Sequence, residues 1–325
     1  MPKIIKKVAE IKVNTPYDDA FRTLVNDCSQ LLIPMLNEIF GKHYTGEEEI
    51  VFHPGEHFIN QQDGKEDKRI TDSSFSIIGE TVDRYILECQ SRPDNSMLIR
   101  IFEYVTQIAL DEGEITEDAL DVTIPSAAIL FLRTNKKTPD EMKIRMHTSG
   151  GDVQFGIPVM KVKNYSVNSI FEKKLYFLIP FYIFTHEDDF KSCESDNSKL
   201  EKLKQEYVEI FEKLEEAAAE GELSYYYMRS IIEMTKLVLE NIARKYENVK
   251  EGVNSVMGGR VLEHESKTIY NEGRSDGKLE EKQATAKRLF EMGTKVADIS
   301  RIVDASINLV RQWISTPANT TTQTI

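Results

Sequence analysis

Cysteine is scarce: Cys28, Cys89 and Cys193 are the only three in 325 residues, far apart and with no CxxC pair. Neither a disulfide framework nor a thiolate zinc cluster is indicated, and a reducing cytoplasm is the expected compartment. Long hydrophobic runs are missing too. The longest, LYFLIPFYIFT at 175 to 185, is about half of the ~20 residues that a membrane helix needs, so it reads as core and no membrane partner is expected. The opening MPKIIKKVAEIKV is basic but has no uninterrupted apolar stretch or small-residue cleavage site, so no secretory signal is expected. An excess of positive charge is also lacking. With 41 Lys and Arg against 54 Asp and Glu the net charge is −13, so any contact with nucleic-acid phosphates must be local. There is no GxxxxGK[ST] loop, no GxGxxG after a strand, no GxSxG elbow and no HExxH, and the six histidines are dispersed.

What is present suffices for a folded protein, with 40% hydrophobic and 29% charged residues and length for two or three units. Thr15 followed by Pro16 and two acids, Asp18 and Asp19, has the form of a capped helix start. Apolar spacing continues that helix towards Pro34, which should end or kink it, and Gly41 closes a short second helix at Phe40. From Ile50 to Gln90 the pattern turns strand-like: IVFH, RITDSSFSII and DRYILECQ, with the polar stretch NQQDGKEDK between the first two. SMLIRIFEYVTQIALDEG restores the helical period, capped by Asn95 or Ser96 and ended at Gly113. TIPSAAILFLRT reads as strand, and MKIRMHTSGGDVQFGIPVMKV as a hairpin turning at Gly150-Gly151. A polar linker, SCESDNSKLEKLK, begins near Ser192 and leads into charged helical sequence.

Within RYILECQS, strand alternation puts Tyr85, Leu87 and Cys89 on one face and Ile86, Glu88 and Gln90 on the other. If residues 79 to 81 form the turn, Ile78 pairs with Val82, Phe75 faces Tyr85 and Asp72 faces Glu88. Directly opposed carboxylates repel. A divalent cation offsets that repulsion, since Mg²⁺ takes one or two carboxylate oxygens and keeps waters that can be activated. A two- or four-residue turn would break both the aromatic and the acidic pairing. The residues taken alone also allow a plainer reading, with Asp72 as a strand-start acid and Glu88 on a solvated face.

The order of elements resembles the PD-(D/E)XK nuclease superfamily, and specifically the recombination-promoting nuclease and putative transposase family. The resemblance is carried by DDAFRTL at 18 to 24, LLIPMLNEIFG at 31 to 41, Asp72, ILECQ at 86 to 90, LIRIFEYV at 98 to 105 and LIPFYIF at 178 to 184. It implies a restriction-endonuclease-like α/β core, a mixed central sheet flanked by helices, that cuts DNA phosphodiesters with Mg²⁺ or Mn²⁺. By position Asp72 and Glu88 look like the metal-binding acids, and Gln90 stands where the superfamily usually has its catalytic lysine. Asp18 matches the acid of the family's first-helix motif. An amide can orient water or phosphate but carries no charge, which leaves the general base unassigned. Arg100 and Tyr104, at i and i+4, share a helix face that could point towards the carboxylates, although Arg100 could equally pair with Glu103.

A second signal lies in AKRLFEMGTKVADISRIVDASINLVRQWI, residues 286 to 314: helix, break at Gly293, short helix, turn, helix. It resembles the helix-turn-helix of transposases and resolvases. Residues 282 to 315 hold six Lys or Arg against three acids, +3 in a chain at −13. Ser306, Asn308, Arg311 and Gln312 are candidates for phosphate or base contacts, and a helical interaction element without DNA contact is the competing reading. The expected organisation is a nuclease-like domain at 1–191, a charged helical linker or arm at 192–275 that could hold a homo-oligomer together, a helix-turn-helix-like segment at 276–316 and a tail at 317–325. The expected activity is Mg²⁺-dependent DNA endonuclease in recombination, transposition or defence. A catalytically inactive DNA-binding or scaffold protein with the same fold is the alternative.

Overall fold

A computed structural model describes residues 15–53, 73–92 and 96–257, the backbone of 56–60 and 66–70, and in the C-terminal part residues 285–290, 292–296, 299, 302 and 314. The chain forms two compact units, Met1–Gly258 and Gly259–Ile325.

In the first unit helix α1 (Pro16–Asp27) begins as its sequence dictates. The Thr15 side chain accepts from the Asp18 N–H, and Asp18 Oδ2 accepts from the Thr15 N–H at 2.8 Å, a reciprocal capping box that satisfies two orphan donors. Its end differs from expectation. The helix stops at Asp27, one 3₁₀ turn follows, and Pro34 lies in the first turn of α2 (Leu32–Phe40), where its missing N–H would have had no intrahelical partner. Gly41 closes α2 at a φ of 63°, a left-handed conformation that suits glycine.

Six strands form one mixed sheet: β1 (Glu49–Phe52), β4 (Ser74–Ile78), β5 (Val82–Gln90), β8 (Ser126–Phe131), β10 (Gly151–Lys161) and β9 (Glu141–Thr148), side by side in that order. β5 runs parallel to β8 and β8 to β10, whereas the outer pairings are antiparallel. The expected strand run 69–78 is divided. β3 (Glu66–Ile70) pairs instead with β2 (Glu56–Asn60) in a separate hairpin that takes in part of the polar stretch 60–68. Helix α3 (Ser96–Asp111) and a short hairpin of β6 (Glu114–Ile115) and β7 (Leu120–Asp121) lie between β5 and β8 in the chain. Parallel neighbours require such a crossover.

The sheet is covered on both faces. On one, Met97, Ile101, Tyr104, Val105 and Ile108 of α3 pack with Ile86, Ala127, Ile129, Phe131 and Val159. On the other, Tyr85 meets Phe40 of α2 with ring centroids 5.1 Å apart. The apolar run expected to be core is core: after the short helix α4 (Val167–Glu172), Tyr176–Asp189 forms a 3₁₀ segment whose residues 176–184 are all buried. Edge contacts of Tyr17 with Phe184 and Phe21 with Phe177 fasten α1 to it. Among the described residues no helix is long and apolar enough to cross a membrane.

The expected linker at Ser192 is helical. It lies in α5 (Phe190–Ser195), which buries Phe190 and Cys193, and in α6 (Asn197–Ala219). Glu194 accepts from the N–H groups of Asn248 and Val249, capping the helical residues 247–257. With α7 (Tyr225–Ile242), which packs against α1, these helices belong to the first unit up to Gly258, so no break in the fold falls at 191/192. Composition misleads here because a helix with one buried stripe is otherwise as polar as a linker.

In the second unit the helical residues 285–290 end at Gly293, the expected break, with a φ of 83° and Thr294 N–H donating to the Leu289 carbonyl at 3.0 Å. Ala286 and Ile299 are buried, with Leu289 and Val296 against them. Most of the rest of the helix-turn-helix-like segment, including Ser306, Asn308, Arg311 and Gln312, and the tail 317–325 lie outside the described residues.

Candidate active site

The β4–β5 register is the one expected of a three-residue turn. Ile78 pairs with Val82 and Phe75 with Tyr85, whose rings lie 5.9 Å apart. At the far end the Leu87 N–H donates to the Ser73 carbonyl at 3.4 Å, and Ser73 Oγ donates to the Leu87 carbonyl at 2.8 Å. Asp72, the next residue, lies outside the described residues.

Glu88 sits on a different kind of surface from the solvated face that its charge invites. It pairs in register with Ile129 of β8, shares a face with Ile86, and is 1% exposed beneath α3. An isolated ionised carboxylate in such a layer carries a large desolvation penalty, so it persists only where other groups interact with it, and Glu88 does take part in interactions there. Gln90, opposite Phe131, is half-buried at the open end of the strand, and its carbonyl accepts from the Leu132 N–H at 2.9 Å. Tyr104 is 3% exposed and belongs to the same packed layer as Ile86 and Ile129. Arg100, one turn before it, is partly exposed. Its Nη2 lies 3.8 Å from Met97 Sδ, and its buried Nε has no hydrogen-bond partner among the described residues.

Ser74, which no motif marks, adds a polar group to this face. It pairs with Ile86, so it shares the Glu88 face, is 2% exposed, and its Oγ lacks a hydrogen-bond partner among the described residues. A buried hydroxyl left in that state costs about 1 to 3 kcal/mol. A carboxylate and an unfilled hydroxyl are hard oxygen donors of the type that Mg²⁺ or Mn²⁺ prefers, so the residues present fit the implied ion. Among the described residues no three or more His, Cys, Asp or Glu are grouped to hold a metal.

Asp18 stands at the start of α1. Its Oδ2 also accepts from Thr15 Oγ1 at 3.1 Å, and at 9% exposure it serves the start of α1.

Two further polar clusters flank the hairpin. His53 Nε2 and Ser76 Oγ are 2.8 Å apart, and Arg84 pairs with Glu112 beyond the end of α3. Burial, then the Arg84 guanidinium, pushes the His53 pKa down, with Glu112 opposing. On the Tyr85 face, Asp83 Oδ2 accepts from Tyr44 OH at 2.6 Å and from Lys42 Nζ at 2.9 Å, and Tyr44 OH lies 2.7 Å from Tyr85 OH. The Tyr44 hydrogen bond, then Lys42, holds the Asp83 carboxyl below its usual range. For the first cluster the hairpin register supplies a signal, since it sets Ser76 opposite Arg84. The second joins residues 39 and 41 positions apart and left none. An open cleft lined by Asn37, Glu38, Lys173, Lys174 and Glu222 contains none of the candidate residues, and its charges pair across it, Lys173 with Glu38 at 2.6 Å and Lys174 with Glu222 at 3.1 Å.

No family model, curated protein or solved structure matches the chain.

Proposed function

We propose that this chain is a divalent-metal-dependent DNA endonuclease of the PD-(D/E)XK type. The observation that carries the reading is Glu88: a carboxylate at 1% exposure on a central strand, with a buried Ser74 hydroxyl on the same face that has no hydrogen-bond partner among the described residues. Burying that pair of groups costs desolvation energy that an apolar residue of similar size would not.

In this reading Asp72 and Glu88 hold Mg²⁺ or Mn²⁺. When bound, such an ion polarises the phosphate and lowers the pKa of its water. Gln90, at the open end of β5, orients the attacking water or a phosphate oxygen through its amide. Arg100, partly exposed and with donors to spare, faces the negative charge that develops on the phosphate. Tyr104 belongs to the wall that keeps this layer dry.

The test is cleavage of supercoiled plasmid with Mg²⁺ or Mn²⁺ by wild type, Asp72→Asn and Glu88→Ala. The expected loss in both variants is at least the roughly 10- to 100-fold that even outer-shell changes at metal sites produce. Equal cleavage by wild type and Glu88→Ala would sink the assignment. The inactive DNA-binding or scaffold reading draws on Gln90 in place of a lysine and on the net charge of −13. Calorimetry decides between the two, since metal binding that disappears in Asp72→Asn supports the nuclease and absence of binding in wild type supports the scaffold.

A further inference from the structure

The β6–β7 hairpin lies outside the proposed catalytic layer and is built as a presenting surface. It is a two-stranded ribbon, separate from the main sheet, with Ile115 paired to Leu120 and Glu114 to Asp121. Strand alternation gives it one apolar and one acidic face. Its turn is closed by the Thr116 N–H donating to the Ala119 carbonyl at 2.9 Å and the Ala119 N–H to Thr116 Oγ1 at 3.2 Å. Its base is locked at Gly113, where an added Cβ would lie 3.0 Å from the Ala109 carbonyl oxygen and 3.1 Å from Val122 Cγ1.

This well-made ribbon leaves its apolar face in water. Ile115 is 85% exposed and Leu120 49%, and Val122 and Ile124 continue the alternation at 44% and 37%. Two-stranded ribbons are marginal alone, and among the described residues neither strand has a third neighbour. Residues 111–122 carry six acids and no base, of which Glu114, Glu117, Asp118 and Asp121 have no ion pair among the described residues.

We propose that the edge of β7, with the residues 122–124 that follow it, is a docking site for an extended protein segment in which apolar residues alternate with Lys or Arg. Such a strand adds its backbone hydrogen bonds to the free edge, sets its apolar side chains beside Leu120, Val122 and Ile124, and meets Asp121 and Glu114 with its cations. The same charges exclude the other occupants. DNA phosphates and anionic lipid headgroups are repelled, and a second copy of the hairpin would bring its own four carboxylates against these.

The test uses the full-length chain and fluorescence anisotropy with an alternating Lys/Val heptapeptide, its Glu/Val counterpart, a DNA duplex and phosphatidylserine vesicles. The Lys/Val peptide should bind, lose affinity as salt rises from about 0.05 M to about 0.5 M, and bind about tenfold more weakly to Leu120→Ser or Ile115→Ser. Both side chains are largely exposed, so the variants should keep the wild-type fold by circular dichroism, and peptide binding should slow amide hydrogen exchange at Leu120–Ile124. Equal binding of the Glu/Val peptide, unchanged affinity in both serine variants, or unchanged exchange at the edge would overturn the proposal, as would duplex or vesicle binding that the serine variants abolish. None of these readouts involves metal or cleavage, so the result is independent of the nuclease reading.

Discussion

The two faces of β5 solve the same burial problem in opposite ways. On the Tyr85 face aromatic rings stack from Phe40, Phe52, Phe75 and Tyr85, and the charged groups, Lys42 and Asp83, stand at the margin where both remain about a third exposed. On the Glu88 face the polar groups are inside: Glu88 and Ser74 are buried, paired in register with Ile129 and Ile86 of the layer that packs with α3. The first arrangement gains stability from nearly every atom. The second places groups where burial is costly.

The sharpest way to break the contrast is Phe75→Ala. On the Tyr85 face it should cost about 3 to 5 kcal/mol, read by urea unfolding, because a fully buried ring leaves a cavity between Phe52 and Tyr85. Glu88→Gln keeps the shape and removes the charge. If the carboxylate is there for function, the variant should unfold within about 1 kcal/mol of wild type while losing Mn²⁺ binding by calorimetry, and a loss of several kcal/mol would mark a structural ion pair instead.

The His53 comparison works through pH. Its folded pKa lies below the ordinary value of about 6.5, so the folded state binds fewer protons than the unfolded one below that value. The contribution is complete above about pH 6.5 and is lost as pH falls through the folded pKa. Unfolding between about pH 7 and pH 5 should show that slope in wild type, and His53→Gln should flatten it. The smallest expected effect is on the margin of the other face. Asp83→Asn removes a depressed carboxyl whose contribution is present above its unfolded pKa of about 3.9 and lost as pH falls through the folded one. Screening at a pair this exposed keeps the difference from wild type below about 1 kcal/mol at pH 7, and it should shrink further towards pH 3.

Features set by neighbours in the chain were open to reading in advance. Thr15 and Pro16 announce α1, Gly41 and Gly293 end helices in left-handed backbone, and the spacing of Gly79-Glu80-Thr81 is enough to pair Phe75 with Tyr85. Features set by distant partners were not. Ser192 to Ser195 has a linker's composition yet forms a helix because Phe190 and Cys193 find a core and Glu194 finds the backbone of Asn248 and Val249. Asp18, by contrast, was legible as a helix-start acid, and its bonds to Thr15 have that form.

The same division holds at Glu88. The sequence by itself determined that Glu88 and Gln90 share a face and that Tyr85 lies on the other, because side chains alternate along any strand. Only the tertiary structure decided what that face meets: α3 comes down on it, Ile129 lies beside it, and a carboxylate that alternation alone would leave in water is 1% exposed. Alternation is a property of the local backbone, whereas desolvation depends on which distant segments arrive to exclude the water.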